Sequence, residues 1–147
     1  MTNVADILRS KPDKTVYRIA PDASVYDALR LMADKNIGAV LVEEQGKIVG
    51  ILSERDYARK IVLMDRSSKQ TAVRDIMTSS VMCARPDQTN EECMKLMTDN
   101  RLRHLPVLEN GRLLGLVSIG DLVKDIISEQ QFTIEQLQHY IQGHHRA

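Results

Sequence analysis

Gly50-Ile51-Leu52-Ser53-Glu54-Arg55-Asp56 and Gly115-Leu116-Val117-Ser118-Ile119-Gly120-Asp121 carry one pattern twice, 65 residues apart. A glycine and two apolar residues suit the end of a strand. A serine follows, and an aspartate three residues later. A serine at a helix N-cap accepts a hydrogen bond from the third backbone N–H inside the helix, and an acid at that third position bonds back to the cap. The pattern therefore predicts a strand that runs into a helix at both places. It also admits a chemical reading. The N–H groups of a helix start and the positive end of its dipole suit a phosphate. An aspartate there can accept hydrogen bonds from both hydroxyls of a ribose, as an acid does at other dinucleotide sites. Capping and ligand contact are compatible, and the pattern alone leaves both open.

Outward from these stretches the self-similarity continues. Pro21-Asp22 matches Pro86-Asp87, Leu31-Met32 matches Leu96-Met97, Gly46 matches Gly111, and Ile61 matches Ile126, all at an offset of 65. Upstream, Val4-Ala5-Asp6-Ile7 matches Val73-Arg74-Asp75-Ile76 at an offset of 69, so repeat one carries four extra residues, placed around Ser10-Lys11-Pro12-Asp13. The reading is repeat one over 1–62, a linker over 63–72, repeat two over 73–127, and a C-terminal helix and tail over 128–147.

Each repeat reads as strand, helix, strand, strand, helix. Val16, Tyr17 and Ile19 form a short strand that stops at Pro21, which has no N–H to donate. Ser24 with Asp27, and Thr89 with Glu92, open the first helix of each repeat as capping boxes. Residues 39–42 and 48–52 form a hairpin about Gln45-Gly46, and residues 105–108 and 113–117 form one about Asn110-Gly111. One half is too small to bury a good core alone. The expected fold is thus α/β (α+β): tandem β-α-β-β-α repeats packed with pseudo-two-fold symmetry, plus a C-terminal helix.

The rest of the composition narrows the function. The 147 residues carry 20 basic and 20 acidic side chains, so the chain lacks the basic excess that a nucleic-acid partner calls for. No apolar run approaches the roughly 18 residues of a membrane span, and the first residues do not read as a signal peptide. Cys83 and Cys93 fit no thiolate zinc site and no disulfide framework, and read as small buried hydrophobes; a reducing cytoplasm is the expected setting. Met32, Met82, Met94 and Met97 read mostly as core filler. No nucleophile elbow surrounds Ser53 or Ser118, and the four histidines leave few metal ligands, so neither catalysis nor a metal is expected. His144-His145-Arg146 reads as a frayed tail. The segment from Glu129 to Tyr140 is expected to cap the module or to bind another copy.

The repeated Gly-apolar-apolar-Ser-x-x-Asp, with Arg103-His104-Leu105-Pro106-Val107 ahead of its second copy, resembles the CBS domain pair, or Bateman module, over residues 4–127. The resemblance implies clefts between the halves that take adenosine nucleotides. Carried over, one site uses Ser53 and Asp56 with Met82, Cys83, Arg103 and His104, the basic pair lying just ahead of Pro106. The other uses Ser118 and Asp121 with Val16, Tyr17, Gly38, Ala39 and, as a phosphate partner, Arg55. Because Gly38-Ala39 stands where repeat two has Arg103-His104, the sites are expected to differ in affinity. The implied ligand is AMP, with ATP, ADP and NAD as alternatives. The implied role is a regulatory, signal-transducing sensor that works as a homodimer and through an effector protein. The rival is a nucleotide-free dimerisation or scaffolding module.

Overall fold

A computed structural model describes residues 2–145, with side chains to Gln142; the side chains of His144-His145-Arg146 lie outside the described residues. The chain forms two compact units, Thr15–Met82 and Met1–Lys14 joined with Cys83–Ala147.

The unit Thr15–Met82 holds β1 (Arg18–Ile19), α2 (Val25–Lys35), β2 (Ala39–Glu44), β3 (Lys47–Ser53) and α3 (Glu54–Tyr57), numbered after α1 (Val4–Ser10) of the other unit. β1 pairs parallel to β2, which pairs antiparallel to β3. The first strand is shorter than its apolar residues suggest, since Val16 and Tyr17 precede it. Ser24 caps α2 by accepting from Asp27 N–H, and the chain leaves the helix through Asn36 at φ 53°, with Ile37 N–H donating to Met32 O at 3.0 Å. The second helix of the repeat is brief. After one α turn the chain runs into a π turn over Ala58–Val62 that buries Ile61.

The second unit repeats the plan with α4 (Asn90–Asn100), β4 (His104–Glu109), β5 (Arg112–Ser118) and α5 (Ile119–His145). Its leading strand is reduced to a single parallel bridge between Ala84 and Val107. The offset of 65 maps that bridge onto the Ile19–Val42 pairing of the first unit. The helix after β5 and the expected C-terminal helix are one continuous helix of 27 residues.

Both hairpins turn on two residues with positive φ, Gln45 (51°) with Gly46 (78°), and Asn110 (52°) with Gly111 (79°). These are type I′ turns, whose twist matches that of the strands. Glycine and asparagine accept this region readily, whereas glutamine strains there. Gln45→Asn is expected to raise stability by about 0.5–1 kcal/mol, seen as roughly 1–4 °C in the melting midpoint.

The two cores are built alike. One packs Val25, Ala28, Met32, Val40, Val42 and Leu52 with Ile61, Val73 and Ile76. The other packs Cys93, Met97, Leu105, Val107, Val117 and Leu122 with Ala84, Val4 and Ile7. The leading segments of the repeats are therefore exchanged. Val4 and Ile7, at the start of repeat one in sequence, complete the core that holds the rest of repeat two, and Val73 and Ile76, at the start of repeat two, complete the core that holds the rest of repeat one. The hydrogen bonds repeat with the same exchange: Val4 N–H to Gln88 O at 2.9 Å and Val73 N–H to Ala23 O at 2.8 Å, Asn90 N–H to Thr2 O at 3.0 Å and Val25 N–H to Thr71 O at 2.9 Å. Gly115 and Gly50 mark the close approach. A Cβ at Gly115 would lie 2.7 Å from Leu8, and one at Gly50 would lie 2.6 Å from Met77.

Candidate functional site

The two strand-to-helix junctions form as the repeated pattern predicts. At the first, Ser53 Oγ accepts from Asp56 N–H at 3.2 Å, and Ser53 N–H and its hydroxyl donate to Asp56 Oδ2 at 3.0 and 3.1 Å. The other carboxylate oxygen is engaged too. Lys60 Nζ stands 3.3 Å from Asp56 Oδ1, and the Thr78 hydroxyl donates to it at 3.4 Å. Lys60 is fixed by its own bond to Ile76 O at 2.9 Å.

At the second junction Ser118 Oγ accepts from Asp121 N–H at 3.1 Å, and Ser118 N–H donates to Asp121 Oδ2 at 2.8 Å. A cation from far away in sequence joins it. Lys11 Nζ lies 3.0 Å from Asp121 Oδ2 and donates to Leu116 O at 2.8 Å. Both contacts to the carboxylate fall on Oδ2, and Oδ1 has no hydrogen bond among the described residues. Lys11 sits among the four residues by which the repeats differ in length, so comparison of the repeats gave no signal for it. Lys60 and Thr78 were also missed. A lysine four residues after Asp56 on a helix is the signal that could have found Lys60.

Hairpin register decides which of the other candidates meet. Ala39 pairs with Ser53 and His104 with Ser118, each as the outermost pair of its ladder. Glu54 N–H donates to Gly38 O at 3.1 Å, and Ile119 N–H donates to Arg103 O at 2.8 Å. Gly38 and Ala39 thus stand beside Ser53, and Arg103 and His104 beside Ser118 and Asp121. The sequence reading grouped them across the repeats; the antiparallel hairpins place each set beside the acid of its own repeat. Arg55 and Arg103 are exposed, and Pro106 is buried with its carbonyl accepting from Ala84 N–H at 2.8 Å. Tyr17 and Val16 are half-buried, with Lys35 Nζ 5.6 Å from the Tyr17 ring centre. Met82 is exposed rather than core filler, unlike the buried Met32 and Met97. Cys93 is buried, and burial with the Glu92 charge pushes its thiol up to about 11; Cys83 is half-buried and burial raises it as well.

Burial holds the His104 pKa below its ordinary value of 6.5, against the Asp121 charge and helped by Lys11 and Arg103. His104 is therefore neutral at the second junction in neutral solution. The unfolded chain binds the proton more readily, so His104 makes stability fall as pH drops below about 6.5. His104→Gln is expected to flatten the decline in melting midpoint between about pH 7 and pH 5, most of it below 6.5.

Among the described residues no group of three or more His, Cys, Asp or Glu could hold a metal, and no helix is long and apolar enough to cross a membrane. An open depression of about 470 Å³ is lined by Arg66, Ser67, Gln70, Thr71 and Asp75, and contains none of the candidate residues.

Comparison with known proteins identifies the family and the fold. The model of the CBS domain matches residues 4–63 and again residues 73–128. A mitochondrial CBS domain-containing protein of Arabidopsis thaliana, CBSX3, is 40% identical over 150 aligned residues, covering 97% of this chain and 73% of that one. The solved structure of a protein with CBS domains from Burkholderia ambifaria MC40-6 is 57% identical, covers 90% of this chain and 99% of its own, and superposes with a TM-score of 0.86. The CBS domain pair of protein MJ0100, solved in complex with 5′-methylthioadenosine and S-adenosyl-L-methionine, shares the fold at a TM-score of 0.73 and 24% identity, covering 85% of this chain and 99% of that one. Two family matches in tandem, over two units of one plan, make this chain a member of the CBS domain family with a pair of CBS repeats.

Proposed function

We propose that the chain is a regulatory module that binds an adenine nucleotide, with Asp56 and Asp121 as the ribose-binding acids, and that it performs no catalysis. AMP is the ligand proposed first, and ADP, ATP and NAD share its adenosine handle. The observation that carries the reading is the second junction. There Lys11 pairs with Asp121 at Oδ2, Oδ1 has no hydrogen bond among the described residues, and the acid sits at a helix start. A ribose needs an anionic acceptor, and a phosphate needs N–H groups and cations. That a CBS pair of this fold is solved with adenosine-bearing ligands supports the ligand class. The pairing of each acid with residues of the other repeat is carried over from the family resemblance.

A nucleotide regulates only if it prefers one of two states of the protein, so the output is a population shift read by an effector protein or by the chain's own association. A cytoplasmic setting belongs to the same proposal. The nucleotide-free dimerisation reading has an observation of its own, the exposed apolar residues of α5.

Thermal unfolding with AMP, ADP, ATP, NAD, S-adenosylmethionine and GMP tests the proposal. A ligand at about 100 times its dissociation constant adds roughly 2.7 kcal/mol, or about 5–10 °C in the midpoint. A rise with adenine ligands but not with GMP is the expected result. No shift with any of them overturns the sensor reading.

A further inference from the structure

We infer that α5 pairs with the α5 of a second copy of this chain as a short parallel coiled coil. The inference does not rest on the nucleotide reading. α5 is tied to its unit as far as Glu129, whose carboxylate accepts from the Thr2 hydroxyl, and by Asn90, whose amide donates to Leu122 O at 2.9 Å. From residue 130 to residue 142 every side chain is exposed. That stretch is rich in large apolar groups, with Ile134 at 49%, Leu137 at 57% and Ile141 at 53% exposure. Half of a helix of 27 residues therefore stands without packing, although packing of an apolar face is what normally holds a helix in water.

The exposed residues keep a heptad. Ile127, Ile134 and Ile141 fall at one seam position, and Val123, Gln130 and Leu137 at the other. Phe132 lies outside this seam. β-branched residues at the first position with Leu at the second favour two parallel strands. Gln130 fixes the register. In a parallel, in-register pair the two Gln130 amides face each other and can each donate and accept. In an antiparallel pair each would be buried against isoleucine with its hydrogen bonds unmade. The charges point to an identical partner. The flanking positions hold Lys124, Ile126, Gln131, Thr133, Gln138 and Tyr140; from Ile126 onward they are uncharged, so two copies meet there without like-charge repulsion, while a charged partner helix finds no complement there. The seam and its flanks between residues 123 and 142 present 12 residues a side, fewer than the roughly 20–30 of a standard interface, so the pairing is expected to be concentration-dependent.

Sedimentation equilibrium of the full chain over a hundredfold range of concentration tests the pairing. A monomer–dimer equilibrium is expected. Leu137→Asp should weaken it roughly 100-fold, and Gln130→Leu should tighten it roughly 10-fold or more, a gain that misfolding cannot mimic. For direction, Leu137→Cys should cross-link in mild oxidant where the unsubstituted chain, with its raised Cys83 and Cys93 thiols, does not. A chain that stays monomeric, or a dimer untouched by Leu137→Asp and Gln130→Leu, overturns the inference; the first result would leave a different protein as the partner of α5, and the second would place the dimer on another face. Absence of the Leu137→Cys cross-link in a dimer that Leu137→Asp breaks overturns the parallel arrangement.

Discussion

Asp121→Ala is expected to weaken AMP binding by roughly 10- to 100-fold, the value of hydrogen bonds to a charged group. Asp121 Oδ1 has no hydrogen bond among the described residues, while Ser118 and Lys11 share Oδ2. Asp56 has both oxygens engaged, one by Ser53 and the other by Lys60 and Thr78. A ribose at Asp56 must displace a protein contact, so the Asp56→Ala loss should be the smaller and should show only at higher ligand concentration. The structure supplies the control. Thr89 and Glu92 form the same reciprocal box at α4, where no ligand is proposed. Loss of such a box costs about 0.5–2 kcal/mol of stability wherever it sits. Glu92→Ala should therefore lower the melting midpoint and leave AMP affinity unchanged, whereas Asp121→Ala should change both. Calorimetric titration of the three variants decides it. Equal affinities across all three would reduce Asp121 to a capping residue and remove the basis for the proposed site.

Much of this was legible in the sequence, and the reasons divide by range. The capping boxes, the two-residue turns and the repeat itself are local, and local chemistry fixes them. Asn110-Gly111 gives its turn directly, and Gln45-Gly46 follows from it through the repeat. The neighbours of each junction within its own hairpin were legible to within one residue. With the turn on residues 45 and 46, a regular antiparallel ladder brings Ala39 opposite Leu52, and the bulge between Val42 and Glu43 moves it one residue on, to Ser53; the same count with the bulge between Val107 and Leu108 brings His104 opposite Ser118. Lys11 was not legible. It reaches Asp121 over 110 residues of chain from a segment with no counterpart in repeat two, and a lone lysine before Pro12 gives no sign of its target. Nor was the helix at the end. The repeat pattern stops near residue 127, and the sequence was cut there, but no Gly or Pro interrupts the chain between Asp121 and Gln142. Helical hydrogen bonds run on through a boundary that only the repeat defines.

The exchange of the leading segments sets the largest effect on stability. Val4-Ala5-Asp6-Ile7 and Val73-Arg74-Asp75-Ile76 are alike, and apolar spacing says that each needs a core without saying which. The structure answers through contacts: Val4 is fully buried and Ile7 is 3% exposed among Cys93, Met97, Leu105 and Val117, while Leu8 lies against Gly115. Ile7→Ala deletes a buried side chain from a core that cannot collapse around the gap, because Leu8 and Gly115 already hold α1 at close range. The expected loss is about 2–5 kcal/mol, a fall of roughly 5–15 °C in melting midpoint. Its location is the sharper test. By sequence position Ile7 belongs with repeat one, so a chain folded in sequence order would lose protection in β2 and β3. With the segments exchanged, amide hydrogen exchange should rise first in β4 and β5, and Lys11, carried just beyond α1, should lose its hold on Asp121. Ile76→Ala is the mirror experiment and should raise exchange first in β2 and β3. If Ile7→Ala leaves β4 and β5 as protected as before and opens β2 and β3 instead, the exchange is wrong, and with it the placement of Lys11 at the second junction.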